Sequence, residues 1–97
     1  MADAPLPDLI LYGRPGCGLC DEARRLIHGL LDERARTGRP IPTLIELDIE
    51  ANPALERAFF TTIPVVALGE RRLELVTSAA KLRRLLADVL DAEPTPA

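Results

Sequence analysis

Apolar and polar residues follow two different periods along this chain, and the two periods predict strands and helices in a mixed order. Short apolar runs, which are typical of strands, cover residues 8–12, 41–49, 65–68 and 72–76. Longer stretches with apolar residues three or four positions apart are typical of amphipathic helices, and they begin near residues 17, 52 and 77. The predicted order is therefore strand, helix, strand, helix, strand, strand, helix.

The strands differ in how they are expected to pair. Residues 8–12 are apolar on both faces, which places this strand in the centre of a sheet. The second strand carries Pro42 and acidic residues at alternate positions, as edge strands do. A helix separates the first two strands, so we expect them to be parallel, whereas Gly69-Glu70-Arg71 indicates an antiparallel hairpin between the last two.

Local signals mark the ends of the helices. Asn52 and Pro53 are typical of an N-cap and a first helical position, and this helix is predicted to run to about Phe60. Thr77 or Ser78 is predicted to cap the last helix.

Composition and length limit the possible functions. The chain has 97 residues, of which 47% are hydrophobic and 28% charged, as expected of one globular domain, which we place at residues 8–91. Residues 1–7 and 92–97 are proline-containing and are expected to be flexible ends. The net charge of −3 and the dispersed basic residues give no reason to expect nucleic acid or a membrane as partner. Without a secretory signal or a long apolar run, we expect a cytoplasmic monomer.

The two cysteines of the chain, Cys17 and Cys20, lie three positions apart where the first strand leads into the first helix. On a helix this spacing places both sulfurs on one face, within reach of a reversible disulfide. A helix N-terminus also favours the thiolate form. Because structural disulfides are rare in the cytoplasm, the pair is more typical of catalysis, redox sensing or metal binding than of a stabilising crosslink.

The element order, the CxxC motif after the first strand and the segment Thr62-Ile63-Pro64-Val65 before the third resemble the thioredoxin superfamily, and most closely the small glutaredoxin-like proteins. The resemblance covers residues 8–90. It implies an α/β fold of the thioredoxin-like type, βαβαββα, with a four-stranded mixed sheet of order 2-1-3-4 and helices on both faces. It also implies a cis peptide bond between Ile63 and Pro64.

This resemblance implies a thiol-disulfide oxidoreductase. Cys17 would be the exposed nucleophile, and Cys20 would resolve the mixed disulfide that Cys17 forms. Arg14 matches a basic residue found three positions before the first cysteine of glutaredoxins; it either tunes Cys17, meets a substrate carboxylate or is a solvated loop residue. The remaining site residues implied by the resemblance bind an extended substrate beside the proline; they are Thr62, Ile63 and Pro64.

The expected substrate is a protein or small thiol that bears a disulfide, and the expected electron donor is a reductase or glutathione. No tightly bound cofactor and no metal are expected. Glutaredoxins hold one end of glutathione with a Gly-Gly segment followed by an acid, and this chain has Val76-Thr77-Ser78-Ala79-Ala80 there instead. We therefore predict that glutathione is a poor electron donor for this protein.

Two other functions are compatible with the sequence. One is a non-catalytic adaptor that binds partners in the groove beside Pro64. The other is a metal or iron-sulfur module in which two chains each contribute thiolates, because structural zinc needs four ligands and one chain offers two cysteines. His28 lies about 12 Å further along the helix than Cys20 and is predicted to lie on the helix surface, outside any such site.

Overall fold

Strands and helices follow one another in the predicted order in the computed structural model, which describes residues 6–91. The strands are β1 (Leu9–Gly13), β2 (Leu44–Asp48), β3 (Val65–Leu68) and β4 (Arg71–Leu73). The helices are α1 (Gly18–Arg36), α2 (Pro53–Phe59) and α3 (Ala79–Leu90), and a 3₁₀ turn at Ile49–Ala51 precedes α2. Residues 1–5 and 92–97, which make up most of the two predicted flexible ends, lie outside the described residues.

The strands form one sheet in the order β2-β1-β3-β4, as predicted. β1 is central and parallel to the edge strand β2, while β3 is antiparallel to both β1 and β4. The register of the parallel pair places Gly13 opposite Asp48, at the carboxyl ends of the two strands. The fold is therefore a mixed α/β sheet of the thioredoxin type.

Two apolar clusters lie on the two faces of the sheet, because successive strand side chains point to opposite faces. Leu9 and Leu11 of β1 pack with the apolar stripes of α1 and α3 in the larger cluster. Phe59 of α2 and Val65 of β3 belong to the smaller cluster on the other face. Cys20 joins this cluster from the first turn of α1, where it also meets the carboxyl end of β1 at Gly13. The helices thus cover both faces, as expected.

Two predicted strands are shorter than expected. β2 begins at Leu44 and not at residue 41, because its pairing with β1 starts at the first residue of β1. It ends at Asp48, whose carboxylate accepts the Glu50 N–H at 2.8 Å and begins the 3₁₀ turn. β4 covers residues 71–73 and not 72–76, because Leu75 has a φ of 50°, which is incompatible with an extended strand.

The predicted helix caps are present. The Asn52 side chain accepts the backbone N–H of Ala54 at 2.9 Å, and Pro53 is the first residue of α2. Of the two candidate caps of α3, Ser78 is the one that acts, accepting the Lys81 N–H at 3.2 Å.

A buried ion pair holds the carboxyl end of α1 against the end of α3. The Arg34 side chain is only 6% exposed, and its guanidinium pairs with Asp91. Arg34 Nε also donates to the Pro40 carbonyl at 2.6 Å, and Arg39 pairs with Asp91 at 3.1 Å. The Arg34 guanidinium lowers the pKa of Asp91, with a smaller contribution from Arg39. Since the Arg34 side chain is desolvated, removing Asp91 leaves a buried unpaired charge.

None of the helices within residues 6–91 is both long enough and apolar enough to cross a membrane.

Candidate functional site

The first turn of α1 positions the two cysteines differently. Cys17 is the N-cap, with extended backbone angles, and its sulfur accepts the Cys20 N–H at 3.1 Å. Cys17 is half-buried, whereas Cys20 is 2% exposed. Their Cα atoms are 5.2 Å apart and their sulfurs form a disulfide. The unpaired N–H groups of a helix start favour negative charge on a sulfur at the cap position, so reduction of this disulfide leaves Cys17 as the better placed thiolate.

The end of β1 makes room for the buried sulfur. A β-carbon placed on Gly13 would lie 3.1 Å from both Cβ and Sγ of Cys20. A distance of 3.1 Å is shorter than an ordinary van der Waals contact of a β-carbon with another heavy atom. Gly13 therefore lets the first turn of α1 sit directly on the carboxyl end of the central strand.

The segment before β3 lies in the same apolar cluster as the cysteines. The Ile63-Pro64 bond is cis, as the resemblance implied, and Ile63 packs with Cys20 and Cys17. The loop after β4 is fastened to this segment by two hydrogen bonds. Leu75 N–H donates to the Thr62 carbonyl at 2.9 Å, and Val76 N–H donates to the Pro64 carbonyl at 3.0 Å.

Much of the backbone beside the cis-proline already has an internal partner. Thr62 N–H and Ile63 N–H both donate to the Phe59 carbonyl, at 2.9 and 3.1 Å. Within residues 6–91, the Ile63 carbonyl receives no backbone hydrogen bond. This carbonyl is the group through which an extended chain can pair with the segment.

Two aromatic side chains belong to the apolar cluster that contains the cysteines. Tyr12 and Phe59 have ring centroids 4.7 Å apart, and the Arg72 guanidinium lies 5.3 Å from the Phe59 centroid. Phe59 is the buried member of the two adjacent phenylalanines, at 7% exposure, while Phe60 is 56% exposed. The tertiary structure thus resolves which phenylalanine belongs to the core.

A cavity of about 260 Å³ reaches Cys20 from the side of β2. Charged groups from α1, β2 and the loop after β1 line it; they are Arg14, Asp21, Arg24, Glu46 and Asp48. Arg24 joins two of the acids, with 2.5 Å to Glu46 and 2.8 Å to Asp21. These hydrogen bonds, first the one to Glu46, raise the pKa of Arg24. Asp21, Arg24 and Glu46 therefore form one ion network along a wall of the cavity.

Arg14 is exposed and lies between two depressions of the surface. It lines the cavity that reaches Cys20 and a second one of about 350 Å³, shared with Arg57 and Phe60. Within the described part of the chain, no acidic side chain forms a salt bridge with Arg14. Its guanidinium is thus open to solvent and to ligands.

The structure brings most of the predicted site residues together. The cysteines and Ile63 share one cluster, with Thr62 and Pro64 adjacent to it in the chain. His28 lies exposed on α1, as predicted. Glu46 and Asp48, which the sequence pattern marks only as residues of an edge strand, line the cavity that reaches Cys20. Their period-two spacing puts them on one face, but only the register of β2 against β1 places that face beside Cys20.

A comparison of the sequence with protein-family models identifies the family of the chain. The family model described as Glutaredoxin-like domain (DUF836) matches residues 8–90. The chain belongs to this glutaredoxin-like family. No curated protein matches it significantly.

Solved structures similar to this glutaredoxin-like protein include the structural-genomics target XcR50 from X. campestris. Its crystal structure is 29% identical, covers 89% of this chain and 99% of that chain, and has a TM-score of 0.65. Its solution structure has a TM-score of 0.63 at 28% identity, covering 90% and 96%. Protein Ne2328 from Nitrosomonas europaea shares the fold, with 23% identity, a TM-score of 0.61 and 94% of each chain covered.

Proposed function

We propose that this glutaredoxin-like protein is a thiol-disulfide oxidoreductase that uses Cys17 and Cys20 as its redox pair. The observation that carries the proposal is the asymmetry of the pair, since Cys17 is accessible at the helix cap and Cys20 is buried beneath it. A reversible dithiol needs one sulfur that meets the substrate and a second that reaches only the first.

The reduction of a substrate RSSR′ proceeds in two exchanges. The Cys17 thiolate attacks one substrate sulfur, so that a Cys17–SR mixed disulfide forms and R′S⁻ leaves. The Cys20 thiol loses its proton and attacks the Cys17 sulfur, so that the Cys17–Cys20 disulfide forms and RS⁻ leaves. Two electrons pass from the cysteines to the substrate, and a donor dithiol later returns them.

The expected substrates are proteins or small thiols bearing a disulfide. The open Ile63 carbonyl beside the cysteines offers a hydrogen-bond acceptor to an extended substrate chain. The exposed guanidinium of Arg14 offers a partner for a substrate carboxylate. Ile63 lies in the same cluster as both cysteines, and Arg14 lines the cavity that reaches Cys20.

Single serine variants test the proposal, because the two cysteines have different tasks. With oxidised glutathione as probe, Cys20→Ser should accumulate one glutathione per chain on Cys17, and Cys17→Ser should accumulate none. Mass spectrometry of the intact protein reports both results. Trapping on Cys17→Ser alone would reverse the roles, and trapping on neither variant would overturn the proposal.

Reduction of insulin disulfides provides the test of turnover. The native chain should reduce them with a dithiol donor, whereas each serine variant should not complete the cycle. An adaptor would bind the substrate without reducing it. Metal analysis of the anaerobically reduced protein distinguishes a shared thiolate site between two chains, which would hold close to one metal or cluster per two chains.

A further inference from the structure

The first turn of α1 carries an acid that opposes the thiolate chemistry proposed above, on which this inference rests. Asp21 lies four residues after Cys17, and its N–H donates to the Cys17 carbonyl at 3.1 Å. Residues four apart are neighbours on one face of a helix, and the side chain of the later one is tilted toward the helix N-terminus. An unpaired Asp21 carboxylate would therefore repel the Cys17 thiolate and compete with it for the same free N–H groups.

Arg24 binds this carboxylate and is itself held in place. Its Nη1 lies 2.8 Å from Asp21 Oδ1, and its Nε lies 2.5 Å from Glu46 Oε1. The guanidinium is thus fixed at two nitrogens, once within α1 and once across to the edge strand β2. Two directed hydrogen bonds hold a guanidinium in one orientation, which a single surface pair does not.

The other charged side chains near the redox pair do not replace Arg24. Arg14, on the loop before Cys17, forms no salt bridge with any acid within residues 6–91, Asp21 included. Its positive charge favours the Cys17 thiolate whether or not Arg24 is present. The remaining charged residues of the two cavities that Arg14 lines form no salt bridge with Asp21 within the described part of the chain; they are Asp48, Glu50, Glu56 and Arg57.

We propose that Arg24 is a positioning residue for the first exchange, because it keeps the Asp21 carboxylate paired and away from the Cys17 sulfur. The step that it assists is the loss of the Cys17 proton to water, which leaves the thiolate that attacks the substrate sulfur. Arg24 touches none of the reacting atoms. It acts through Asp21, and Glu46 holds it in the orientation that this requires.

Alkylation of Cys17 by iodoacetamide at a series of pH values measures the effect, because the thiolate is the form that reacts. The Cys20→Ser chain is used throughout, so that Cys17 is its one cysteine. Arg24→Gln should raise the pH midpoint of the alkylation rate by about 0.5–1 pH units, as expected for a partly screened charge one helical turn away. Arg25→Gln is the matched control, since Arg25 is exposed and has no salt bridge within residues 6–91. Its shift should be below about 0.3 pH units, because solvent and salt screen a charge two turns away.

Asp21→Asn tests whether Arg24 acts through the carboxylate. In that background Arg24→Gln should no longer raise the midpoint, so the two substitutions should be strongly non-additive. A merely structural role of Arg24 would not produce this rescue. Urea unfolding should show little loss of stability in Arg24→Gln, because the side chains of the Asp21–Arg24 pair are 52% and 41% exposed.

Three results would each overturn the inference. They are an unchanged midpoint in Arg24→Gln, an equal shift in Arg25→Gln, and an equal shift by Arg24→Gln with and without the Asp21 carboxylate. The last of these would mean that Arg24 acts by its own charge alone. Failure of the proposed function looks different, because the native pair would then reduce no disulfide, wherever the alkylation midpoint lies.

Discussion

Gly13 and Cys20 meet so closely that any β-carbon at position 13 would lie 3.1 Å from both the Cβ and the Sγ of Cys20. The contact joins the carboxyl end of the central strand to the first turn of α1. It therefore fixes where the redox pair lies relative to the sheet. The consequence can be measured, because the glycines of α1 face open space and serve as controls.

Gly13→Ala should destabilise the protein by about 1–3 kcal/mol, because the added methyl group overpacks the first turn of α1. Gly29→Ala is the matched control, since a β-carbon there meets nothing within 4 Å. In the interior of α1 that change should stabilise the protein by about 1 kcal/mol through helix propensity. Urea unfolding of both variants gives the two free energies, and a neutral Gly13→Ala would contradict the close contact.

The adjacent phenylalanines should differ sharply in their contribution to stability. Phe59→Ala removes a buried ring that stacks on Tyr12 and should cost about 3–5 kcal/mol. Phe60→Ala removes an exposed ring and should change stability by less than about 0.5 kcal/mol. Equal losses in thermal unfolding would show that the ring of Phe60 is buried instead.

Asp91 should make stability depend on pH in the acid range. Its pKa is lower in the folded protein than its ordinary value of 3.8, first because Arg34 hydrogen-bonds the carboxylate. The stabilisation that ionised Asp91 gives the folded state is therefore fully present at pH values above the ordinary pKa of the carboxyl group. It is lost as the pH falls through the lower pKa of the folded protein. Asp91→Asn should cost about 3 kcal/mol near pH 7, because it leaves Arg34 buried without a counter-charge.

Denaturant unfolding at several pH values measures that dependence. The loss caused by Asp91→Asn should shrink toward zero in strong acid, where the native carboxyl is also protonated. Glu33→Gln is the control, because Glu33 pairs with Arg83 on the surface, where solvent screens the charges. A loss for Asp91→Asn that stays constant with pH would contradict an ionised Asp91 as the stabilising group.

Glutathione should be a poor electron donor for this protein. The segment from residue 76 to residue 80, where glutaredoxins carry their glycines and acid, has structural tasks here. Val76 is 4% exposed and donates its N–H to the Pro64 carbonyl, and the Ser78 side chain caps α3. Turnover of a mixed-disulfide substrate should be slow with glutathione and glutathione reductase, and faster with a thioredoxin-reductase type of donor. Efficient glutathione-dependent turnover would contradict this prediction.

The sequence alone determined the features that depend on neighbouring residues. Asn52 and Pro53 predicted a helix start because capping needs only a side-chain oxygen two or three residues away. The CxxC motif predicted two sulfurs on one helical turn because that spacing is a property of the helix itself. The central position of β1 followed from its apolar residues on both faces.

Only the tertiary structure decided the features that join distant parts of the chain. The pairing of Gly13 with Asp48 depends on strand register, and from it follows the cavity that brings a carboxylate of β2 beside Cys20. The early end of β4 depends on Leu75, which the hydrogen bond to Thr62 holds in a left-handed conformation. Residue patterns encode which face a side chain occupies, but packing of the whole sheet selects which other residue it meets.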